Sequence, residues 1–225
     1  MITIYGFGRV PDLVVGLTRD LRVLWAAEEL GLPYQVHALD FETDLRTDAY
    51  KEKSDFGQVP VIDDGGFVLA ESGAILLYLA EKAGAITAAD VRRRYEITRW
   101  CLAALSTLEP PMTVLNLLMI SRSPDTEMKT RLTQWVEMRL EAIDERLGEH
   151  AYIIDETFTV ADVLVVTMLR MLGGLGIVEK FANVRAYLAR CEQRPAWQKV
   201  LDAYEDRLHA KRGAGRRTIP ERLAH

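Results

Sequence analysis

Gly57-Gln58-Val59-Pro60-Val61-Ile62-Asp63-Asp64-Gly65-Gly66-Phe67-Val68-Leu69-Ala70-Glu71-Ser72 is the stretch that decides how this chain folds. Val59 to Asp63 and Phe67 to Leu69 flank Asp64-Gly65-Gly66, the composition of a tight hairpin turn. Pro60 stands directly ahead of a strand and cannot donate to its ladder. If the Val59–Pro60 bond is cis, the Val59 backbone turns outward. Its N–H and C=O can then pair with an extended peptide as an added strand. The alternative is an ordinary trans proline at a strand start, which the scarcity of cis bonds favours. At the far end, Ser72 reads as the N-cap of a helix over 72–82 that Gly84 stops. The free N–H groups of such a helix start attract an anion. A ligand carboxylate suits the backbone N–H and the Ser72 hydroxyl, and Glu71 suits a ligand ammonium. Together they fit the amino-acid end of a γ-glutamyl group. The competing reading is a plain capping serine beside a solvated glutamate.

Working outward, Ile2 to Phe7 is β-branched and aromatic and reads as a strand. Gly8 to Gly16 is a loop. Residues 19–30 read as a helix with Leu21, Leu24 and Trp25 in an apolar stripe, and Gly31 and Pro33 stop it. Tyr34 to Phe41 is a second strand, and 42–57 a loop with a short helix. The first three elements form a βαβ unit with parallel strands and a right-handed crossover. The hairpin makes the sheet mixed. Residues 1–84 are thus a βαβ-ββα domain of thioredoxin-like α/β type.

Past Ala88 no strand pattern survives, so 89–210 is an all-helical domain. Helices are expected over 89–121 with an interruption near Pro110-Pro111, then over 125–148, 160–172, 184–192 and 196–209. Residues 160–172 are almost entirely apolar, so that helix is central. Phe158-Thr159-Val160-Ala161-Asp162 precedes it as a capping-box variant, with Phe158 and Val163 at the staple positions. Replacing Asp162 by Ala should cost about 1 kcal/mol if it caps the helix. The basic tail 211–225 reads as mobile.

The net charge of −5 gives no general reason to expect nucleic-acid binding. The two cysteines, Cys101 and Cys191, have no CxxC or metal-like spacing, so neither a disulfide framework nor a metal is expected. No basic leader or uninterrupted apolar span of membrane length is visible. The composition reads as a soluble cytoplasmic protein, neither nucleic-acid nor membrane bound.

The two motifs of the opening stretch, a hairpin apart, resemble the N-terminal domain of cytosolic glutathione transferases. So does Leu21-Arg22-Val23-Leu24-Trp25 through Glu28-Glu29-Leu30-Gly31-Leu32-Pro33-Tyr34. The helical half is similar too, including the box before residue 160. The resemblance implies that Gln58, Val59, Pro60, Glu71 and Ser72 bind glutathione, used as co-substrate. It implies conjugation to a small hydrophobic electrophile or reduction of a peroxide. It also implies a homodimer, to which Phe56 and Trp135 are candidate contributors if exposed.

That chemistry needs the thiol as thiolate, which a hydrogen-bonded hydroxyl or a helix N-terminus favours. The family's serine or cysteine has no counterpart in Gly16-Leu17-Thr18-Arg19-Asp20, and the loop Val10 to Val15 is longer than usual. Thr18 is the nearest hydroxyl, with an N-cap as its alternative role. Arg19 could add positive charge, or simply be a surface residue. Tyr5 resembles the catalytic tyrosine of other classes in position, or is a packed strand residue. Ser54-Asp55 stand where the family often has Asn-Pro. Arg46, Lys51, Lys53 and Gln58 are open choices for the glycyl carboxylate. Acceptor-pocket candidates are Trp100, Cys101, Leu105 and Met112, at a site expected between the domains.

A non-catalytic glutathione-binding or scaffold protein is the second reading, since fold alone does not fix activity. A glutaredoxin-type oxidoreductase is weakened by the lack of any cysteine in the N-terminal domain.

Overall fold

The computed structural model describes residues 1–11 and 14–208. The 211–225 tail lies outside them. Strand β1 (Ile2–Arg9) runs parallel to β2 (Tyr34–Asp40), joined through helix α1 (Asp20–Glu29). Strand β3 (Val61–Asp64) returns antiparallel on the other side of β1 and pairs with β4 (Phe67–Ala70). The sheet order is β2-β1-β3-β4, the mixed sheet that the βαβ-plus-hairpin pattern predicts. Helix α2 (Asp48–Lys51) is the short helix of the 42–57 loop, and α3 (Ser72–Lys82) follows the hairpin.

Alternation along β1 sorts its two faces. Ile2, Ile4 and Gly6 are buried on one. Tyr5 and Phe7, on the other, pack against a cluster of Leu39, Tyr50, Val59 and Val61. Gly6 is required where it stands: a Cβ there would lie 2.7 Å from Asp20 Oδ2. Helix α1 is buried through eight successive residues, Asp20 to Ala27. Its apolar stripe was legible, but its full enclosure was not.

Helices α4 (Val91–Ala103), α5 (Glu109–Ile120), α6 (Glu127–Glu149), α7 (Val160–Met171), α8 (Ala182–Glu192) and α9 (Pro195–Arg207) follow. The chain divides into two compact units. The first holds Met1–Val91 and the segment from Arg194; the second holds Arg92–Gln193. Helix α9 therefore packs with the sheet unit. Trp197 meets Trp25 of α1 with ring centroids 4.8 Å apart. Arg194 pairs with Glu29, and Lys199 with Glu28 at 2.5 Å.

In the second unit the interruption lies just before the proline pair. Ala104–Leu108 forms a π-helical turn joining α4 to α5. Pro110 and Pro111 bring no N–H, and their rings crowd the carbonyls four residues back. The widened turn accommodates them, and the Thr107 carbonyl accepts from Arg139 Nε at 3.0 Å instead. The run Val91–Ile120 also contains a window apolar and long enough to cross a membrane by composition alone, which a core helix can equally satisfy.

Helix α7 starts with the predicted box. Asp162 Oδ2 accepts the Thr159 N–H at 2.8 Å, and Oδ1 accepts the Ile153 N–H at 2.7 Å and the Tyr187 hydroxyl at 2.8 Å. Asp162 thus joins the helix start, the preceding loop and α8.

Candidate functional site

The loop ahead of Pro60 is built to present one residue's backbone. Gly57 adopts φ +59°, and a Cβ there would lie 2.8 Å from the Leu45 carbonyl oxygen, so only glycine fits the turn. The Gln58 N–H donates to Ser54 Oγ at 2.9 Å. Its carbonyl accepts from Ser54 Oγ and from Tyr50 Oη, both at 3.0 Å. Gln58 is thereby fixed on both sides, with its side chain exposed. The Val59–Pro60 bond is cis. The Val59 N–H and C=O have no hydrogen-bond partner among the described residues. Ser54 and Tyr50 were not singled out from the sequence. The signal for Ser54 was its place where the family often carries Asn.

The start of α3 is likewise left open. The N–H groups of Ser72, Gly73 and Ala74 have no partner among the described residues, and the first bond back runs from Ile75 to the Glu71 carbonyl. Ser72 is buried at 4% exposure, and its hydroxyl does not cap the helix. It accepts instead from Nη1 of Arg22, a buried α1 residue, at 3.3 Å. A guanidinium behind an open helix start makes the spot strongly favourable to an anion. Arg22 was missed because it reads as a polar interruption of an apolar run. Glu71 is exposed and holds φ +71°, a left-handed conformation that non-glycine residues rarely adopt. Such strain is characteristic of ligand clamps. The turn aims an exposed carboxylate beside an anion site, a pairing suited to a zwitterionic amino-acid head.

At the start of α1, Thr18 is not the N-cap. Arg19 occupies that position, exposed and without a side-chain cap. The Thr18 hydroxyl lies 2.7 Å from Tyr204 Oη of α9. Below it, the Asp20 carboxylate is fully enclosed. Its Oδ2 accepts the Phe7 N–H at 3.0 Å and Arg207 Nη2 at 3.3 Å, while Oδ1 has no hydrogen-bond partner among the described residues. Burial pushes the Asp20 carboxyl above the usual carboxylate range, against the pull of Thr18, Arg207 and the Phe7 amide. Burial likewise raises the Tyr204 phenol, so it stays protonated. Tyr5 is half-buried among His37, Tyr50 and Lys53, whose Nζ sits 5.6 Å from its ring centroid. Among the other cations near this loop, Lys51 pairs with Asp48 at 3.3 Å and Arg46 is exposed.

The four acceptor candidates all lie in the helical unit and split into two kinds. Trp100 and Leu105 are half-buried, and Arg99 and Arg146 both lie over the Trp100 ring. Cys101 and Met112, at 1% and 0% exposure, are core residues, and burial drives the Cys101 thiol up to about 12. Phe56 and Trp135 are exposed, at 78% and 48%. Among the described residues no group of His, Cys, Asp and Glu comes together to hold a metal ion.

Comparison with known proteins gives two family matches. A glutathione S-transferase N-terminal domain model matches residues 21–82, and a glutathione S-transferase C-terminal domain model matches residues 110–195. Together they span more than half of the chain. A fission yeast (Schizosaccharomyces pombe) protein named glutathione S-transferase 3 is 25% identical over 84% of this chain and 85% of its own. Glutathione S-transferase GstA of Escherichia coli O157:H7 is 29% identical over 65% of this chain and 74% of its own. A glutathione transferase family member from Pseudomonas fluorescens, crystallised with two glutathione bound, superposes with a TM-score of 0.77 at 27% identity, covering 89% of this chain and 92% of that one.

Proposed function

The chain belongs to the glutathione S-transferase family, and from that premise we propose that it binds glutathione in its first unit and joins the sulfur to a small apolar electrophile. The tripeptide lies along Val59 as an added strand. Its γ-glutamyl carboxylate meets the Ser72 hydroxyl and the open α3 start, and its ammonium meets Glu71. Lys53, over the Tyr5 ring beside the Val59 cluster, serves the glycyl carboxylate. The observation that carries this reading is a pair of unsatisfied backbone sets at the two ends of one hairpin. Val59 has an open N–H and C=O, and the start of α3 has three open N–H groups over a buried Arg22–Ser72 pair.

Thr18 is the hydroxyl that stabilises the thiolate, helped by the start of α1 and the nearby Arg19 charge. The thiolate forms a carbon–sulfur bond, its proton having left to solvent, and the electrophile's leaving group departs with the electron pair. The protein acts in the cytoplasm as a homodimer to which the exposed Phe56 and Trp135 contribute.

Calorimetric titration with glutathione tests the binding site. Ser72→Ala removes a hydroxyl bonded to a charged group, so affinity should fall about tenfold or more. Equal affinity in wild type and variant would remove Ser72 from the site. The second reading, a non-catalytic glutathione-binding protein, is favoured by one observation: the Thr18 hydroxyl is already engaged by Tyr204. Conjugation assays with a panel of electrophiles separate the two. Turnover lost in Thr18→Ala rejects the scaffold, and its absence in wild type rejects the enzyme.

A further inference from the structure

The Thr18 hydroxyl has a single hydrogen-bond partner among the described residues, and it comes from the far end of the sequence. Tyr204 Oη lies 2.7 Å from Thr18 Oγ1, on a side chain with no exposure. The direction of this bond can be worked out. The Tyr204 phenol has no other hydrogen-bond partner among the described residues. A buried O–H needs an acceptor, and Thr18 Oγ1 is the one within reach, so the phenol proton goes to Thr18. A phenol is also the stronger donor and the weaker acceptor of the two hydroxyls. The bond therefore runs from Tyr204 O–H to Thr18 Oγ1. Thr18 receives one hydrogen bond and keeps its own proton to give. Asp20 lies close enough to feel the same hydroxyl, but neither of its oxygens forms a hydrogen bond with Thr18 among the described residues.

Resting on the assignment of Thr18 to the thiol, we propose that Tyr204 is a positioning residue for thiol activation. By donating to Thr18, it turns the threonine proton toward the sulfur and strengthens that donor. Hydrogen bonds in a chain polarise one another, and the gain is largest where water is excluded. An isolated threonine hydroxyl rotates freely and is a weak substitute for the serine or cysteine of related enzymes. A buried phenol behind it supplies the missing orientation. The same contact explains why α9 belongs with the sheet unit. It carries Trp197 to Trp25, Tyr204 to Thr18, and Arg207 to Asp20 and to the Phe7 carbonyl at 2.8 Å.

The test reads the pKa of the bound thiol. Glutathione is bound to wild type, Tyr204→Phe, Thr18→Ala and the double variant, and thiolate absorbance is followed against pH. The charged groups around the pair are Asp20 on α1, Arg207 on α9 and Arg19 at the start of α1. The Tyr50 phenol also feels the Asp20 charge, from the other face of the sheet. All of these are unchanged in the variants. S-Methylglutathione, which has no ionisable thiol, measures binding without activation. Tyr204→Phe should raise the thiol pKa by about half a unit to one unit, the scale of one neutral hydrogen bond, and leave S-methylglutathione affinity within about twofold. Thr18→Ala should raise it at least as far, and the double variant no further. A thiol pKa raised by Thr18→Ala but not by Tyr204→Phe would overturn the role of Tyr204 and leave that of Thr18 standing. A pKa that Thr18→Ala does not move would overturn both. Loss of S-methylglutathione binding in Tyr204→Phe would make the tyrosine structural and overturn the inference.

Discussion

Enclosing the Asp20 carboxylate without a partner for Oδ1 disfavours its charged form, and the shift carries a signed consequence for stability. The unfolded carboxyl titrates near its ordinary value, about 4, while the folded one titrates higher. Protonated Asp20 therefore contributes fully below pH of about 4, and the contribution is lost as pH rises through the folded value. Asp20→Asn keeps the shape and removes the titration. The stability of wild type minus that of Asp20→Asn, from denaturant melts, should fall as pH is raised from about 4 and then level off. A difference that stays flat or rises would show that Arg207 outweighs burial. Residue-level legibility in the sequence was uneven for a physical reason. Val59, Pro60, Glu71 and Ser72 announce themselves because backbone geometry and helix starts depend on local sequence. Arg22 and Tyr204 make their contacts with residues far away in the sequence, which no local spacing encodes. Thr18 was found as a hydroxyl, but its partner lies 186 positions away.

At the scale of elements, the helices came through well where their end signals are chemical. The Gly31 and Gly84 stops and the Thr159–Asp162 box all fall at or next to element ends. The π-helical turn at Ala104–Leu108 shows the limit of such signals. The proline pair predicts a disturbance, but where it is absorbed depends on Arg139 reaching the Thr107 carbonyl from α6. The α7 box proves weightier than a cap. Asp162 is buried and accepts from Ile153 and Tyr187 as well as Thr159. Asp162→Ala would leave several buried donors unsatisfied, each costing about 1–3 kcal/mol. The expected loss is therefore about 3 kcal/mol or more, above the 1 kcal/mol that capping alone predicts. Chemical denaturation checks this, and a loss near 1 kcal/mol would mean that water replaces the carboxylate.

For the whole molecule, the alternation of strands and helices up to Gly84, and the helical periodicity beyond it, made the two architectures readable. Periodicity shows that a helix has an apolar face, without showing what covers it. That is why α9 reads as part of the helical half yet packs on α1. The same limit leaves the exposed Phe56 and Trp135 as candidates for subunit association rather than as a mapped interface. The proposed binding site depends on one relation between the two ends of the hairpin, the open Val59 backbone at one end and the open start of α3 at the other. Backbone amide chemical shifts recorded during titration with glutathione test that relation directly. The account predicts saturable shifts of the Val59, Ser72 and Gly73 amides with a common dissociation constant. Saturable binding that leaves these three amides unmoved would contradict it.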